Sequence, residues 1–374
     1  MPASGNFPKQ LALQLAQRKE KGVLRTLKAS YPLLDFSSND YLGFSSKGLL
    51  AAQIQTLHSS SATGATGSRL ISGNSALYEE LEKEVAAFHH APAALLYNSG
   101  YDANLGLLSC VPQKGDLILS DELIHASLID GIRLSHAVNY KFRHNDLQAL
   151  QDLILRHQEK FETIYVVVES VYSMDGDSAP LTELALLCEA YGLHLIVDEA
   201  HAIGVFGSQG RGLCEELNME DSCFARVYTY GKAMGCHGAA VVGSEALRQY
   251  LVNFSRSFIY TTALPEHSLL AIRAAYQLLE TGHGMKLLKE NIEYFNQLAK
   301  ASDGFIESNS AIHCQLIPGN NKVQALEEQC AAEGLFVKAI KSPTVKEGQE
   351  RVRICLHAFN TREEIGLLLK MVGK

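Results

Sequence analysis

The sequence predicts an α/β fold: a mainly parallel sheet in a large domain, a smaller α+β layer after it and a helical arm before it. Two observations carry this. Short apolar runs ("AALLYNSG", "GDLILSD", "TIYVVVES", "LHLIVDEA", "ARVYTYG" and "GAAVVG") each end in polar or glycine residues, and helical stretches such as "LTELALLCEAYG" separate several of them. Strands apolar on both faces belong to a sheet covered on both sides, as in parallel α/β architecture. After about residue 265 the texture changes to long helices and then to alternating segments, which marks the smaller layer.

The elements follow in order. Residues 8–28 carry Leu11, Leu13, Leu15, Leu24 and Leu27 among charges, the spacing of an amphipathic arm lying on something larger. "YPLLDFSSNDYLGFSS" is loop-like, rich in Ser, Asn, Asp and Gly. "SALYEELEKEVAAFHH" is a helix with Ser75 as its N-cap and acids in the early turns. The strand–helix rhythm then runs to "GAAVVG". Beyond it come "PEHSLLAIRAAYQLLETG" and "MKLLKENIEYFNQLAK" as helices, "AIHCQLIPG" as a strand, "NKVQALEEQCAAEG" as a helix, then "LFVKAIKSP", "ERVRICLHAF" and a last helix. The domain boundaries expected are 1–45 for the arm and loop, 46–265 for the large domain and 266–374 for the small one.

Composition narrows the function. The 374 residues are 47% hydrophobic and 20% charged, with a net charge of −8, which disfavours nucleic acid or an anionic membrane as partner. Eight cysteines lie scattered with no C-x-x-C pair, which reads as reduced thiols of a cytoplasmic protein, with neither a disulfide framework nor a metal site. The first 22 residues lack the apolar core of a signal peptide, and no stretch reaches membrane-spanning length.

In an open α/β sheet, ligands gather beyond the carboxyl ends of the strands. Ser99 and Gly100 close one strand and open a helix, whose N-terminal amides suit a phosphate; alone, this is an ordinary turn. Asp198 and Glu199 end "LIVDEA", with His201 three residues past Asp198; a carboxylate there is costly without a cation beside it. No H-E-x-x-H or Cys/His cluster supplies further metal ligands, and no G-x-x-x-x-G-K-[ST] or G-x-G-x-x-G supports a nucleotide site. His125 lies in an apolar surround, where a satisfied core or cap histidine is the ordinary reading, and Ser173 offers a hydroxyl in a polar loop. Lys232, in "RVYTYGKAMGCHGAAVVG", follows a strand and is flanked by Gly231 and Gly235. A partly desolvated lysine has a lowered amine pKa and can form a Schiff base. The conjunction of a phosphate turn, a strand-end carboxylate and such a lysine meets each need of pyridoxal phosphate.

On these residues the chain resembles the α-oxoamine synthase group of fold-type I pyridoxal-phosphate enzymes. The stretches that carry the likeness run from "DFSSNDYLGFSS" through "YNSGYDANLG", "DELIHASLIDG", "SVYSMDGDSAPL", "IVDEAHAIGVFGSQGRG", "TYGKAMGCHGAAV" and "FIYTTALP" to "IKSPTVKEGQERVRICL". The resemblance implies a seven-stranded, mainly parallel sheet and a homodimer with active sites at the interface. It implies Lys232 as the Schiff-base lysine and proton carrier, Asp198 on the ring nitrogen, His201 on the ring hydroxyl and His125 stacked on the ring. Ser99, Gly100 and Tyr101 would form the phosphate end with Thr229, and Thr261 or Thr262 would reach across from the partner subunit. Ser173 would lie near the ring hydroxyl, Asn39 near the substrate, Arg353 on the substrate carboxylate and Arg25 toward the far carboxylate of an acyl chain.

The reaction implied is decarboxylating condensation of an amino acid with an acyl-CoA or an acyl-carrier protein. "SSNDYLG" and "SPTV-x-x-G" favour the branch that joins L-alanine to a pimeloyl thioester in biotin biosynthesis; the glycine-using branches are the alternative, and a non-catalytic subunit is a second. Departures bear on substrate choice: Lys341 and Asn360 stand where an arginine and a histidine are usual. Ser170 replaces a glycine, Tyr78 a histidine, and the segment before "LDFSSNDYLG" is short.

Overall fold

The computed structural model describes residues 7–27, 33–57, 64–300 and 302–373. Lys28 of the expected arm, and Tyr31 and Pro32 of the loop after it, lie outside these ranges. The arm is helical only over Lys9–Glu20, and no residue of that helix is buried in the chain. Gly22, at φ 64°, takes the left-handed conformation that ends a helix cheaply, so Leu24 and Leu27 follow in non-helical chain. A two-residue strand, β1 (Leu34–Asp35), follows.

The large sheet has seven strands: β2 (Ala93–Tyr97), β3 (Leu117–Asp121), β4 (Val138–Phe142), β5 (Ile164–Glu169), β6 (His194–Asp198), β7 (Cys223–Thr229) and β8 (Ala239–Gly243). Their order is β2-β8-β7-β6-β5-β3-β4, and β8 runs antiparallel to both neighbours while the remaining pairs are parallel. Every residue of β2, β3 and β5 is buried, which is why these segments read as unbroken apolar runs. The edge strand β4 has no such run: of its five residues only Phe142 is buried, so sequence pattern passes over it.

Helices cover both faces. One core unites Leu107, Leu128, Val166, Ile196 and Val227; the other unites Leu81, Tyr230, Ile272, Phe295 and Ile354. The second core continues into the C-terminal layer, where β9 (Ile312–Leu316), β10 (Leu335–Phe336), β11 (Lys338–Ile340) and β12 (Arg351–Cys355) appear. β12 lies between β11 and β9, antiparallel to both, while β1 pairs in parallel with β10 through Leu34–Leu335 and Asp35–Phe336. The helix Glu266–Glu280 packs on the helices Leu49–Ile54 and Ala76–Phe88. The chain either side of residue 265 therefore shares a core, and the segment after the arm is stitched to the C-terminal layer. Ser75 stands at the N-cap of Ala76–Phe88, yet its hydroxyl makes no capping bond.

Because β2, β3, β5, β6 and β7 point the same way, the residues just past their carboxyl ends share one edge. That edge collects Ser99–Gly100, the loop to His125, Glu169–Ser173, Asp198–His201 and Thr229–Lys232.

Candidate active site

Lys232 lies in the turn after β7, where the Gly235 amide donates to the Lys232 carbonyl at 2.9 Å. Gly235 has φ 64°, and a Cβ on it would stand 2.8 Å from the Ser45 backbone nitrogen, so glycine is required there on both counts. A Cβ on Gly231 would approach only the Cys236 carbonyl, at 3.8 Å, so no protein atom explains that glycine by contact. The lysine is partly exposed along its length. Burial of its amine lowers the pKa to about 8, opposed by the carboxylates of Asp198 and Glu169. Near neutrality a usable fraction of the amine is free base, as a nucleophile or proton acceptor needs to be.

Two acids face that amine from adjacent strands. Asp198 and Glu169 are paired in register across β5 and β6, 4% and 3% exposed. Asp198 is well held: Oδ1 accepts from the Ala200 amide at 2.9 Å and Oδ2 from Asn104 Nδ2 at 2.7 Å. Glu169 has a buried Oε1 without a partner, and burial followed by repulsion from Asp198 raises its pKa to about 8. One acid of the pair is thus fixed in place by two donors, and the other takes up a proton readily. Glu199, named beside Asp198 from the sequence, turns away and binds the amides of Leu213 and Cys214 at 2.7 and 3.1 Å.

The histidines bracket the same space. His125 caps the helix Ala126–Leu134, its Nδ1 accepting from the Ser127 amide at 3.2 Å and meeting the Ser127 hydroxyl at 2.8 Å, while the residue remains exposed. His201 is 4% exposed, with Nδ1 2.8 Å from the Tyr41 hydroxyl; burial, then Lys232 and Arg353, hold its pKa well below the usual value. Burial likewise lowers the pKa of His125, against the pull of Asp198, so both rings favour the neutral form near neutrality.

At the other end, Ser99 caps the helix Gly100–Cys110, its hydroxyl accepting from the Asp102 amide at 3.1 Å. A Cβ on Gly100 would lie 2.1 Å from Thr229 Oγ1, so the helix N-terminus and the last residue of β7 pack as closely as glycine permits. Asn98 Nδ2 donates to Thr261 Oγ1 at 3.0 Å and to the Thr262 carbonyl at 2.9 Å, which brings both threonines to the same turn of their own chain. Tyr101 points elsewhere: it is 43% exposed and its hydroxyl binds Asp130.

Arg353, on β12, is 7% exposed and braced by the Ser173 carbonyl at 2.8 Å, Asn39 Oδ1 at 3.0 Å and Cys355 Sγ at 2.9 Å. Asn39 also accepts from the Tyr41 hydroxyl at 3.1 Å. Arg353 thus joins Ser173, Asn39, Tyr41 and, through Tyr41, His201 in one network. Arg25 is not part of it. It is exposed and meets Thr344 Oγ1 at 3.4 Å, beside Lys341, whose Nζ donates to the Gly22 carbonyl at 3.2 Å. An open cavity of ≈ 1010 Å³ separates the arm from that loop, lined by Gln17, Arg18, Lys21, Ser342 and Glu350 among others. It is remote in kind from the buried charge cluster and holds none of its residues.

The residues fit pyridoxal phosphate on three structural observations. Gly100 opens a helix whose first turn is packed against Thr229 at the end of β7, Asp198 keeps lone pairs beside a lysine of lowered pKa, and His125 is exposed at the same strand ends. Among the described residues no group of three or more His, Cys, Asp or Glu could hold a metal. Sequence pattern missed Glu169, Asn104 and Tyr41. Glu169 carried a signal, as an acid ending an apolar strand like Asp198; Asn104, inside a helix, carried none.

Sheet order, strand-end lysine and charge cluster define a fold-type I pyridoxal-phosphate transferase fold. Residues 31–372 match the family model for aminotransferase class I and II, and the chain belongs to that family. It is 42% identical to 8-amino-7-oxononanoate synthase of Emericella nidulans, over 99% of this chain and 97% of that one. It is 37% identical to 8-amino-7-oxononanoate synthase of Marinobacter nauticus, over 98% and 96%. Among solved structures, 8-amino-7-oxononanoate synthase of Francisella tularensis aligns at TM-score 0.76 and 32% identity, over 91% of this chain and 97% of that one. A serine palmitoyltransferase of S. paucimobilis with a bound PLP–myriocin aldimine aligns at TM-score 0.88 and 26% identity, over 98% and 96%.

Proposed function

We propose that this pyridoxal-phosphate-dependent acyltransferase condenses L-alanine with a pimeloyl thioester, releasing CO₂ and the free thiol and giving 8-amino-7-oxononanoate for biotin synthesis. The observation that carries the reading is Lys232 in the glycine-flanked turn after β7, with the register-paired strand-end acids Asp198 and Glu169 near enough to act on its amine. Near-full-length similarity to 8-amino-7-oxononanoate synthases supports this choice of substrates.

Bound pyridoxal phosphate supplies the electron sink that stabilises negative charge at the amino-acid Cα. Asp198 would hold its ring nitrogen, His201 and Ser173 the ring hydroxyl, and the Ser99–Gly100 turn with Thr229 its phosphate. Tyr101, turned to Asp130, would serve that end only through its backbone amide at the helix N-terminus. His125 would lie on the ring face. Lys232, free base in part at neutral pH, takes the Cα proton and later returns it. Arg353, locked by the Ser173 carbonyl and Asn39, would receive the amino-acid carboxylate with its orientation fixed in advance. Arg25 would meet the far carboxylate of the acyl chain from the arm.

A homodimer with shared sites is part of the proposal. Ile71 and Tyr260 are 86% and 72% exposed on segments that pack together, an apolar surface that a second copy would cover. Thr261 or Thr262, seated beside Asn98 of their own chain, would then lie against the partner's phosphate site as well. Lys341 supports a second reading, with another amino acid and acyl donor: it is a point charge where the resemblance implies an arginine's planar fork, and it is spent on a backbone carbonyl.

Thiol release by purified protein separates these. L-Alanine with pimeloyl-CoA is compared with glycine plus acetyl-CoA and L-serine plus palmitoyl-CoA, each beside donor alone. Release with alanine and pimeloyl-CoA only is expected; preference for another pair moves the protein to that reaction. Lys232→Ala is expected to abolish release while the protein stays folded, and a near-normal rate would remove the lysine from the chemistry.

A further inference from the structure

The carboxylate of Asp198 and the ring of His125 belong to different strand-end loops, yet two buried side chains join them. Asn104, 2% exposed on the helix Gly100–Cys110, donates through Nδ2 to Asp198 Oδ2 at 2.7 Å and to Ser127 Oγ at 3.0 Å. Ser127, 1% exposed, meets His125 Nδ1 at 2.8 Å. The path is short because Gly131 lets the two helices touch: a Cβ there would lie 2.9 Å from the Asn104 carbonyl and 2.9 Å from Leu108 Cβ.

Hydrogen-bond directions along this path are determined. A carboxylate only accepts, so the Asn104 amide must present its NH₂, which also donates to Ser127 Oγ. With a lone pair so occupied, the Ser127 hydroxyl turns its proton to His125 Nδ1. The Ser127 backbone amide donates to the same nitrogen at 3.2 Å, so Nδ1 is an acceptor and the proton of the neutral ring lies on Nε2. The outward Asn104 Oδ1 is buried without a partner, so the amide keeps this orientation at a cost, for the sake of its two donated bonds.

We propose that Asn104 and Ser127 are positioning residues that act as one relay, fixing the aim of the Asp198 carboxylate and locking His125 as its Nε2–H tautomer. The inference rests on the proposed cofactor reading for Asp198, whereas the His125 half stands on the protein alone. Its consequence is that the group under the ring nitrogen and the group on the ring face are set together. A change at Asn104, which the relay places in contact with Asp198 but not with the ring face, is felt at His125.

The test uses full-length protein with ¹⁵N-labelled histidine, the His125 signals being assigned by their loss in His125→Gln. Wild type without cofactor is expected to show an unprotonated, acceptor-type Nδ1 and a protonated Nε2. Ser127→Ala should shift both nitrogens toward the tautomer-averaged position, and Asn104→Leu should shift them the same way by less. Pyridoxal phosphate binding by equilibrium dialysis should weaken about tenfold or more in Asn104→Leu, since one charge-assisted bond on Asp198 is lost. Ser127→Ala should bind within about threefold of wild type, as that bond remains.

A wild-type signal with the proton on Nδ1, or identical His125 signals in all folded forms, overturns the relay. Unchanged cofactor affinity in folded Asn104→Leu overturns the Asp198 half. Failure of wild type to bind pyridoxal phosphate sinks the functional reading instead, and the His125 signals still decide the tautomer. Should Asn104→Leu not fold, Ser127→Ala carries the test by itself.

Discussion

Adding one methyl group at Gly100 tests the proposed phosphate end directly. A Cβ there would stand 2.1 Å from Thr229 Oγ1 and 3.1 Å from Thr229 Cβ and Cγ2. Ordinary carbon contact distances are about 3.5–4.0 Å, so the helix N-terminus and β7 must part by roughly an ångström or more. Overpacking of this kind costs about 1–3 kcal/mol, which as affinity is about fivefold to a hundredfold or more. Gly100→Ala is therefore expected to weaken pyridoxal phosphate binding to that extent and to lower the thermal midpoint. Thr229→Ala alone removes one hydroxyl and should cost about 0.5–1.5 kcal/mol of binding. It also removes Oγ1 and Cγ2, so only the 3.1 Å contact with Thr229 Cβ remains in the double variant. Gly100→Ala/Thr229→Ala should bind the cofactor about as well as Thr229→Ala, a favourable coupling of about 1 kcal/mol or more. Binding to apoprotein, measured by equilibrium dialysis for all four forms, gives the cycle. Additive losses would refute the reasoning, because they would mean that Gly100 is required for something other than its approach to Thr229.

Further outcomes follow from buried charges. Glu169 takes up its proton on folding, since burial and Asp198 raise it from 4.5 to about 8; its penalty is absent below pH 4.5 and complete above about pH 8. Glu169→Gln is expected to raise the thermal midpoint of unliganded protein at pH 9 and to leave it nearly unchanged at pH 4.5. A parallel shift at both values would refute this. His144 is pulled down by burial, but bonds to Asp121 at 3.0 Å and Asp177 at 2.7 Å prevail and raise it to about 10. Its stabilisation is full below the unfolded value near 6.5 and fades as pH climbs toward 10. His144→Gln should therefore cost more at pH 6 than at pH 10 in urea titrations. Glu82, 3% exposed, binds Arg69, Arg248 and the Leu96 amide, so Glu82→Leu takes the carboxylate from the buried Arg69 side chain and the acceptor from the Leu96 amide, which should cost about 3–5 kcal/mol in the same assay.

The fold was legible where physics writes a pattern along the chain. Doubly buried strands leave apolar runs, and the six runs from "AALLYNSG" to "GAAVVG" lie in the seven-stranded sheet, while "AIHCQLIPG" forms β9 of the C-terminal one. Val138–Phe142 went unread because an edge strand with one buried residue leaves no run. Leucine spacing overextends the arm because it survives beyond Gly22, although the left-handed backbone there ends the helix. In the site, Asp198, His201, His125, Ser99, Gly100 and Lys232 were nameable because each sits at a strand end or helix start, where sequence position implies a direction. Arg353 and Asn39 come from chain segments over three hundred residues apart, and their contact at 3.0 Å is a property of β12 lying beside the loop after β1. No local pattern encodes that. The same holds for Asn104: a polar residue on a helix face has no signature until the partner strand is known.

Why the cluster is tolerable explains what binding must do. Lys232, Asp198, Glu169 and Arg353 are drawn into a sheet edge walled by Val168, Val197, Val227 and Tyr228, none more than 1% exposed. In such surroundings each charge is expensive unless answered nearby. The protein answers Asp198 with two donors and Arg353 with three contacts, but Glu169 Oε1 has none and Lys232 responds by a lowered pKa. The site is thus finished structurally at Asp198 and Arg353 and left unfinished at Lys232 and Glu169. Those two share the interior of the cleft, facing Asp198. A ligand that brings a cationic ring nitrogen to Asp198 and consumes the lysine amine relieves both at once. The strain that keeps Lys232 reactive is therefore the same strain that favours occupancy of the site.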